Sequence, residues 1–361
     1  MKKRNGNLDL LKFLFALMIV FFHGKDLATD GHYIFAGGNI AVEFFFIVSG
    51  CLMASAASKR EMNESLGHDT FAFMKHKIKG LMPNYYVAFV IAFVVMHRDA
   101  KSWISVAKDL AGSVWELLLV MNVGLRKAGG INNGPVWYLS AMLLAMFIIW
   151  PIMRKYKDTF FYVIAPILAL FLLGFTYHSW QHLGGASKWV GMCMKGTTRA
   201  FIATLMGCIV YKVSEGLKDI EFTKVARGLF SIVEWGGYLA IFAWSFLKGR
   251  GRYDWLELIL LAVCITITMS NVGFGAKCFQ SPVFNWLGVY SYSLYLGHGF
   301  WANSMVGLFP KMTYWQRMPI YLMLALGTGL VIYFVSAGSR KFWNANAGKI
   351  KAVFIAEKTV G

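Results

Sequence analysis

The sequence predicts an all-α, polytopic membrane protein, and three observations carry that prediction. Of 361 residues, 57% are apolar and the mean hydropathy is +0.53. Only 15% are charged, against roughly 25% in a soluble domain. The apolar residues fall in long unbroken runs, near 8–24, 39–57, 83–97, 106–124, 135–153, 160–178, 197–213, 229–247, 256–273, 284–303 and 319–338. Runs of this length read as membrane helices. A β-barrel would need short alternating strands instead.

The weakest of the eleven runs is 106–124, which carries Lys108, Asp109 and Glu116. Charge counting decides how to treat it. With Lys12 and Arg199 set aside as intramembrane, Lys and Arg divide evenly between the two sides if all eleven runs cross. They divide 21 to 13 in favour of the N-terminal side if 106–124 lies on, or re-enters from, the outer surface. The positive-inside rule selects the second arrangement. The expectation is about ten spans, both termini cytoplasmic, and one extra outer-surface or re-entrant helix near 106–124. One transmembrane domain covers 1–338, and a short basic cytoplasmic tail covers 339–361. The N-terminal Lys2-Lys3-Arg4 before an apolar run resembles a signal peptide. No small-x-small cleavage site follows, so the segment is expected to be retained.

The net charge of +18 would point to nucleic acid in a soluble protein. Here it reads as loop charge facing anionic lipid, so the expected partners are membrane lipid and no nucleic acid. Five cysteines (Cys51, Cys193, Cys208, Cys264, Cys278) include no C-x-x-C pair, which indicates neither a disulfide framework nor a metal site. The sequon Asn63-Glu64-Ser65 falls on the cytoplasmic side and is discounted.

Span 1 holds two ionisable residues, Lys12 and His23. Eleven residues at roughly 100° each make three turns plus about 20°, so the two share a face, about 16 Å apart along the axis. One face thus carries a cation toward one surface and an imidazole toward the other. The competing reading is that Lys12 snorkels and His23 is merely interfacial. Glu43 lies near the outer start of span 2, one short loop from His23. A carboxylate beside an imidazole fixes its tautomer and raises its basicity, so Glu43 is expected to orient His23. A lipid-interface or backbone-bonded carboxylate is the alternative.

Further along, Lys75, Lys77 and Lys79 gather at the inner mouth of span 3. They suit a polyphosphate ligand, or an ordinary positive-inside loop. Asn133 and Trp137, ahead of the fourth span, offer an amide and an aromatic face of the kind that suits a sugar; an aromatic belt would use the same types. Arg199 is a buried-charge candidate at the outer start of its span. Ser291, Tyr295 and His298 fall on one helical face; such a polar stripe lines a cavity or a helix interface rather than lipid. No G-x-S-x-G, H-E-x-x-H or Walker A pattern occurs.

These blocks together resemble the acyltransferase-3 family of integral membrane O-acyltransferases. The resemblance rests on Leu8-Asp9-Leu10-Leu11-Lys12 with His23 in register, and on Val42-Glu43-Phe44-Phe45-Phe46-Ile47-Val48-Ser49-Gly50. Trp137-Tyr138-Leu139-Ser140 and Ser291-Tyr292-Ser293-Leu294-Tyr295-Leu296-Gly297-His298 complete it. The order is the family's, and the blocks span nearly the whole chain. Lys12 stands where the family more often has arginine, and Gly80 where it often has the second arginine of an Arg-x-x-Arg motif; Lys79 is the candidate substitute. Met142 occupies a position that is glutamate in another branch. There is also no C-terminal hydrolase-like domain, and both features look like stand-alone members that modify surface or exported polysaccharides.

The resemblance implies transfer of an acyl group, usually acetyl, from cytoplasmic acetyl-CoA (acyl-CoA) to a hydroxyl of an extracytoplasmic saccharide or lipid-linked glycan, with no metal. It implies His23 and Glu43 as catalytic residues and Lys12, Lys75, Lys77 and Lys79 as holders of the CoA phosphates. Trp137, Asn133, Arg199, Ser291, Tyr295 and His298 become substrate-binding candidates, in a bacterial cell membrane. The competing class is a carrier or exporter of a lipid-linked glycan that does no covalent chemistry.

Overall fold

The computed structural model describes residues 5–29, 31, 33–61, 65–124, 132–249, 251–274 and 279–354, without the side chains of 344 and 347–354. Asn63, Glu64 and Cys278 therefore lie outside the described residues. Among the described residues the regular secondary structure is helical apart from a two-stranded ribbon, β1 (Trp189–Val190) antiparallel to β2 (Cys193–Met194).

Each apolar run becomes helix. In chain order these are α1 (Gly6–His23), α2 (Ile40–Lys59), α3 (Leu66–Met96), α4 (Trp103–Gly112), α5 (Val114–Leu117), α6 (Trp137–Thr159), α7 (Ala165–Trp180), α8 (Lys195–Lys218), α9 (Lys224–Leu247), α10 (Asp254–Ser270), α11 (Pro282–Leu308) and α12 (Tyr314–Phe354). Among the described residues, seven continuous segments are long and apolar enough to cross a membrane. One of them, 134–180, holds both α6 and α7. Lys157, with a φ of +33°, breaks the helix there, and a π-helical turn, Phe160–Ile164, follows.

Run 106–124 becomes α4 and α5, ten and four residues long. At ~1.5 Å per residue neither reaches across a ~30 Å hydrocarbon core. Trp103 and Ile104 of α4 are 88% and 70% exposed, as befits a surface helix.

Two boundaries differ from the sequence reading. Segment 66–82, outside the expected spans, is the first half of α3, capped by Ser65, whose hydroxyl accepts from His68 N–H at 3.4 Å. Pro83 marked the expected start of that span, yet it sits inside the helix. It removes one backbone hydrogen bond and crowds the carbonyl four residues earlier, a break that a membrane bundle tolerates because neighbouring groups re-satisfy the freed backbone. At the other end, α12 continues past 338 to Phe354 without a break.

The bundle closes on two contacts that position the site. α2 packs most extensively on α8, and α1 on α11. A Cβ on Gly50 would meet the Thr204 backbone, and one on Gly207 would lie 3.0 Å from Gly50 Cα. Small residues at this crossing let the two backbones approach, which drives helix association where no hydrophobic force is available. α1 is thereby held between α2 and α11, with Phe15 stacked on Phe44 of α2 at 4.1 Å.

Candidate active site

Two cavities lie along one face of α1. Lys12 and Lys77 line the first, of about 170 Å³, together with Ser291, Tyr292 and Tyr295 of α11 and Tyr138 of α6. His23 lines the second, of about 290 Å³, with Lys25, Asn39, Trp137 and Arg199. Ile19 and Val42 belong to the walls of both. The consecutive residues Trp137 and Tyr138 face different cavities. The shared helix face expected from the spacing of Lys12 and His23 thus carries one chamber at each end and an apolar partition between them.

At the Lys12 end, the ammonium lies 3.3 Å from Asp9 Oδ1. Lys77 reaches the cavity, whereas Lys75 and Lys79 are exposed and take no part in its wall. Because 75–79 is helix, the reason is geometric. Residues two apart point roughly 200° away from each other, and residues four apart share a face. Lys77 faces the bundle, so Lys75 and Lys79 face out together. Ser291 donates to Gly288 O at 2.9 Å, and Tyr295 donates its hydroxyl to Pro135 O. Both line the Lys12 cavity, not the His23 cavity.

At the His23 end, the expected pairing of Glu43 with His23 is not formed. Both Glu43 oxygens accept from Arg199, Nε to Oε1 at 2.6 Å and Nη2 to Oε2 at 2.9 Å. The pair is buried, at 1% and 3% exposure. A carboxylate taken out of water needs a full counter-charge and filled hydrogen bonds, and a guanidinium fork supplies both where an imidazole cannot. Among the described residues Asp26, three residues on, brings a carboxylate to His23, with its Oδ2 3.4 Å from His23 Nδ1. Glu43 acts on the cavity through Arg199, whose guanidinium also sits over the Trp137 ring, 5.3 Å from its centroid.

His298 is fully buried, its Nδ1 2.6 Å from Tyr295 O and its ring 5.1 Å from that of His23. It backs His23 rather than lining the cavity. Asn133 is buried and donates to Leu296 O at 2.8 Å. It ties the segment before α6 to α11, and its neighbour Gly134 is the residue in the cavity wall.

One further residue in that wall is Asn39, at the N-cap position of α2. It is 5% exposed, and neither Nδ2 nor Oδ1 has a hydrogen-bond partner among the described residues. A buried amide without partners costs free energy unless something fills its bonds. Asn39 was not singled out from sequence. The available signal was its place one turn before Glu43, at the mouth of the same span.

Among the described residues, no group of three or more His, Cys, Asp and Glu side chains is placed to hold a metal ion. The described cysteines, Cys51, Cys193, Cys208 and Cys264, are free.

In comparisons with known proteins, a family model described as an acyltransferase domain matches residues 5–344. No curated protein and no solved structure was matched.

Proposed function

The chain belongs to the acyltransferase-3 family and is a multi-pass membrane acyltransferase; from that premise we propose that it moves an acyl group, usually acetyl, from cytoplasmic acyl-CoA to a hydroxyl of a saccharide or lipid-linked glycan on the opposite side. The proposed setting is a bacterial cell membrane crossed about ten times, with both termini cytoplasmic. The observation that carries the reading is the pair of cavities on α1, which share Ile19 and Val42 as walls.

In this reading Lys12 and Lys77 meet the CoA phosphates at the cytoplasmic end, where each contact is charge-assisted. Lys75 and Lys79 contribute only to the field at the mouth. Ser291, Tyr292 and Tyr295 line the path of the pantetheine arm. The thioester passes the Ile19–Val42 partition and reaches the His23 cavity. With His23 donating from Nδ1 toward Asp26, the ring lone pair lies on Nε2 and takes the acceptor hydroxyl proton. The hydroxyl oxygen attacks the thioester carbonyl; the C–O bond forms, the C–S bond breaks, and the proton goes to the CoA thiolate. Arg199, locked by Glu43, is aimed where negative charge develops on the carbonyl oxygen, which is the arrangement that favours the transition state. Trp137 offers an aromatic face to the sugar. Asn133 and His298 support the cavity from behind.

The test is transfer of label from acetyl-CoA to glycan in membranes containing the chain, beside His23→Ala expressed to the same level. Label with the native chain and a fall of about 10²–10⁴-fold in the variant supports the reading. Label at the same rate with both removes His23 from the mechanism. Label with neither, with longer acyl donors and added acceptors also tried, moves the chain to the competing class, a carrier of lipid-linked glycan.

A further inference from the structure

A second region, a cleft away from α1, has no role in the chemistry above. It has a volume of about 820 Å³ and lies between the ends of α2, α6 and α8, bordered by Arg60, Arg154, Lys157, Lys212, Phe161 and Tyr211. It shares no wall residue with either α1 cavity. It opens at the C-terminal end of α2, the end of the bundle assigned above to the cytoplasm.

Arg154 organises this cleft. Its side chain is 6% exposed. Nε donates to Asp69 Oδ2 at 3.1 Å, and Nη1 donates to Ala57 O at 2.7 Å and Arg60 O at 2.6 Å. Trp150 Nε1 donates to the same Asp69 oxygen at 2.9 Å, which fixes the carboxylate. The guanidinium is therefore held rigidly, yet its Nη2 is buried and has no hydrogen-bond partner among the described residues. An unfilled donor on a buried cation is costly, and an anion is the partner it lacks.

The charges around it agree. Arg60 and Lys157 are exposed at the rim, and neither makes an ion pair among the described residues. Three acids also border the cleft: Glu61, Asp158 and Glu215. Asp158 faces Lys212 at 3.8 Å and Glu215 is held by Lys218 at 2.5 Å, so two of the three are already matched. Apolar and aromatic side chains, Met153, Phe161 and Tyr211, line the cleft as well. Cations beside apolar surface, at the end of a membrane bundle, recognise a phosphate that carries acyl chains.

We propose that this cleft is a binding site for a phosphate group, that of an anionic phospholipid headgroup, distinct from the site of acyl transfer. The phosphate sits between Arg60 and Lys157 against Arg154, and the acyl chains leave along Phe161 toward the bilayer.

The experiment uses the full chain, purified in a neutral detergent and stripped of lipid. Binding of phosphatidylglycerol, phosphatidylcholine and glycerol phosphate is measured by native mass spectrometry and by the shift in thermal unfolding. Arg154 is left alone because its loss would free Asp69 and the end of α2. The variant is Arg60→Gln with Lys157→Gln, both exposed; its charge-matched control is Lys224→Gln with Lys341→Gln, exposed cations elsewhere on the chain. The expected result is that phosphatidylglycerol binds and phosphatidylcholine does not. Its affinity falls roughly ten-fold or more in the Arg60/Lys157 variant, the loss of charge-assisted contacts, and stays unchanged in the control. Glycerol phosphate binding with the same dependence would keep the phosphate site and identify a soluble source. No anion binding, or equal weakening in variant and control, overturns the proposal. None of these readouts depends on acyl transfer, so they separate this site from the fate of the enzymatic reading.

Discussion

The two cavities on α1 are built on opposite principles. Around His23 the charges are locked: Arg199 has both fork positions filled by Glu43 and an aromatic face at Trp137. Around Lys12 the cations stand on flexible stems among tyrosines: Lys12 lies 3.3 Å from Asp9, and Lys77 makes no hydrogen bond or ion pair among the described residues. The difference teaches where each energy is used. A rigid, desolvated charge stabilises a transition state because it needs no reorganisation. Lysines are point charges that follow a flexible polyphosphate and release it.

The largest effect that would break this comparison is at Glu43. Glu43→Ala leaves Arg199 buried without its counter-charge, which costs about 3–5 kcal/mol. The expected outcome is lower thermal stability in detergent together with loss of transfer. A variant of native stability would show that the pair is not the rigid element. Next is the partition. Ile19→Trp thickens the wall between the chambers; transfer is expected to fall at least ten-fold while acyl-CoA binding, read by equilibrium dialysis, persists. Transfer at the native rate would mean that the two cavities are not joined through Ile19.

A smaller effect sharpens the Lys12 end. Lys12→Met or Lys77→Met is expected to raise the KM for acyl-CoA by about ten-fold or more, one charge-assisted contact at ~1.5–3 kcal/mol, with little change in kcat. Lys75→Met and Lys79→Met are expected to leave KM within about two-fold, since both face away. Equal effects at all four would return the whole cluster to the donor. The smallest effect is Asn39→Ala. Its unfilled donor and acceptor suit a hydroxyl of the acceptor, so a several-fold rise in acceptor KM with unchanged donor KM is expected. A change in donor KM instead would assign Asn39 to the thioester end.

Hydropathy made the helices legible because a membrane span must satisfy its own backbone over ~20 residues. Helix geometry made the Lys12–His23 axis legible for the same reason: both residues lie on one continuous helix. What stayed hidden depends on contacts between helices. Glu43 and Arg199 are 156 residues apart, and only the bundle brings them together. A lone buried carboxylate is costly, and that cost is why Glu43 pairs with a cation rather than with His23. Asp26, His23's neighbour, was visible at i+3 but is outweighed in a sequence by the apolar context of span 2. The roles of Lys75, Lys77 and Lys79 turned on whether 75–79 is loop or helix, and Pro83 concealed the answer by sitting inside α3. Ser291, Tyr295 and His298 share a helical face in the sequence, but which cavity, if either, each of them lines is fixed by the packing of α11 on α1.

The most direct test of the account is the sidedness of transfer in sealed membrane vesicles. Labelled, membrane-impermeant acetyl-CoA is added outside vesicles of known orientation that hold glycan acceptor within. Vesicles that expose the Lys12 end are expected to accumulate label on the enclosed glycan, and vesicles that expose the His23 end are expected to accumulate none. Transfer to acceptor on the same side as the donor, or from the His23 end alone, would contradict a reaction that runs from one cavity to the other.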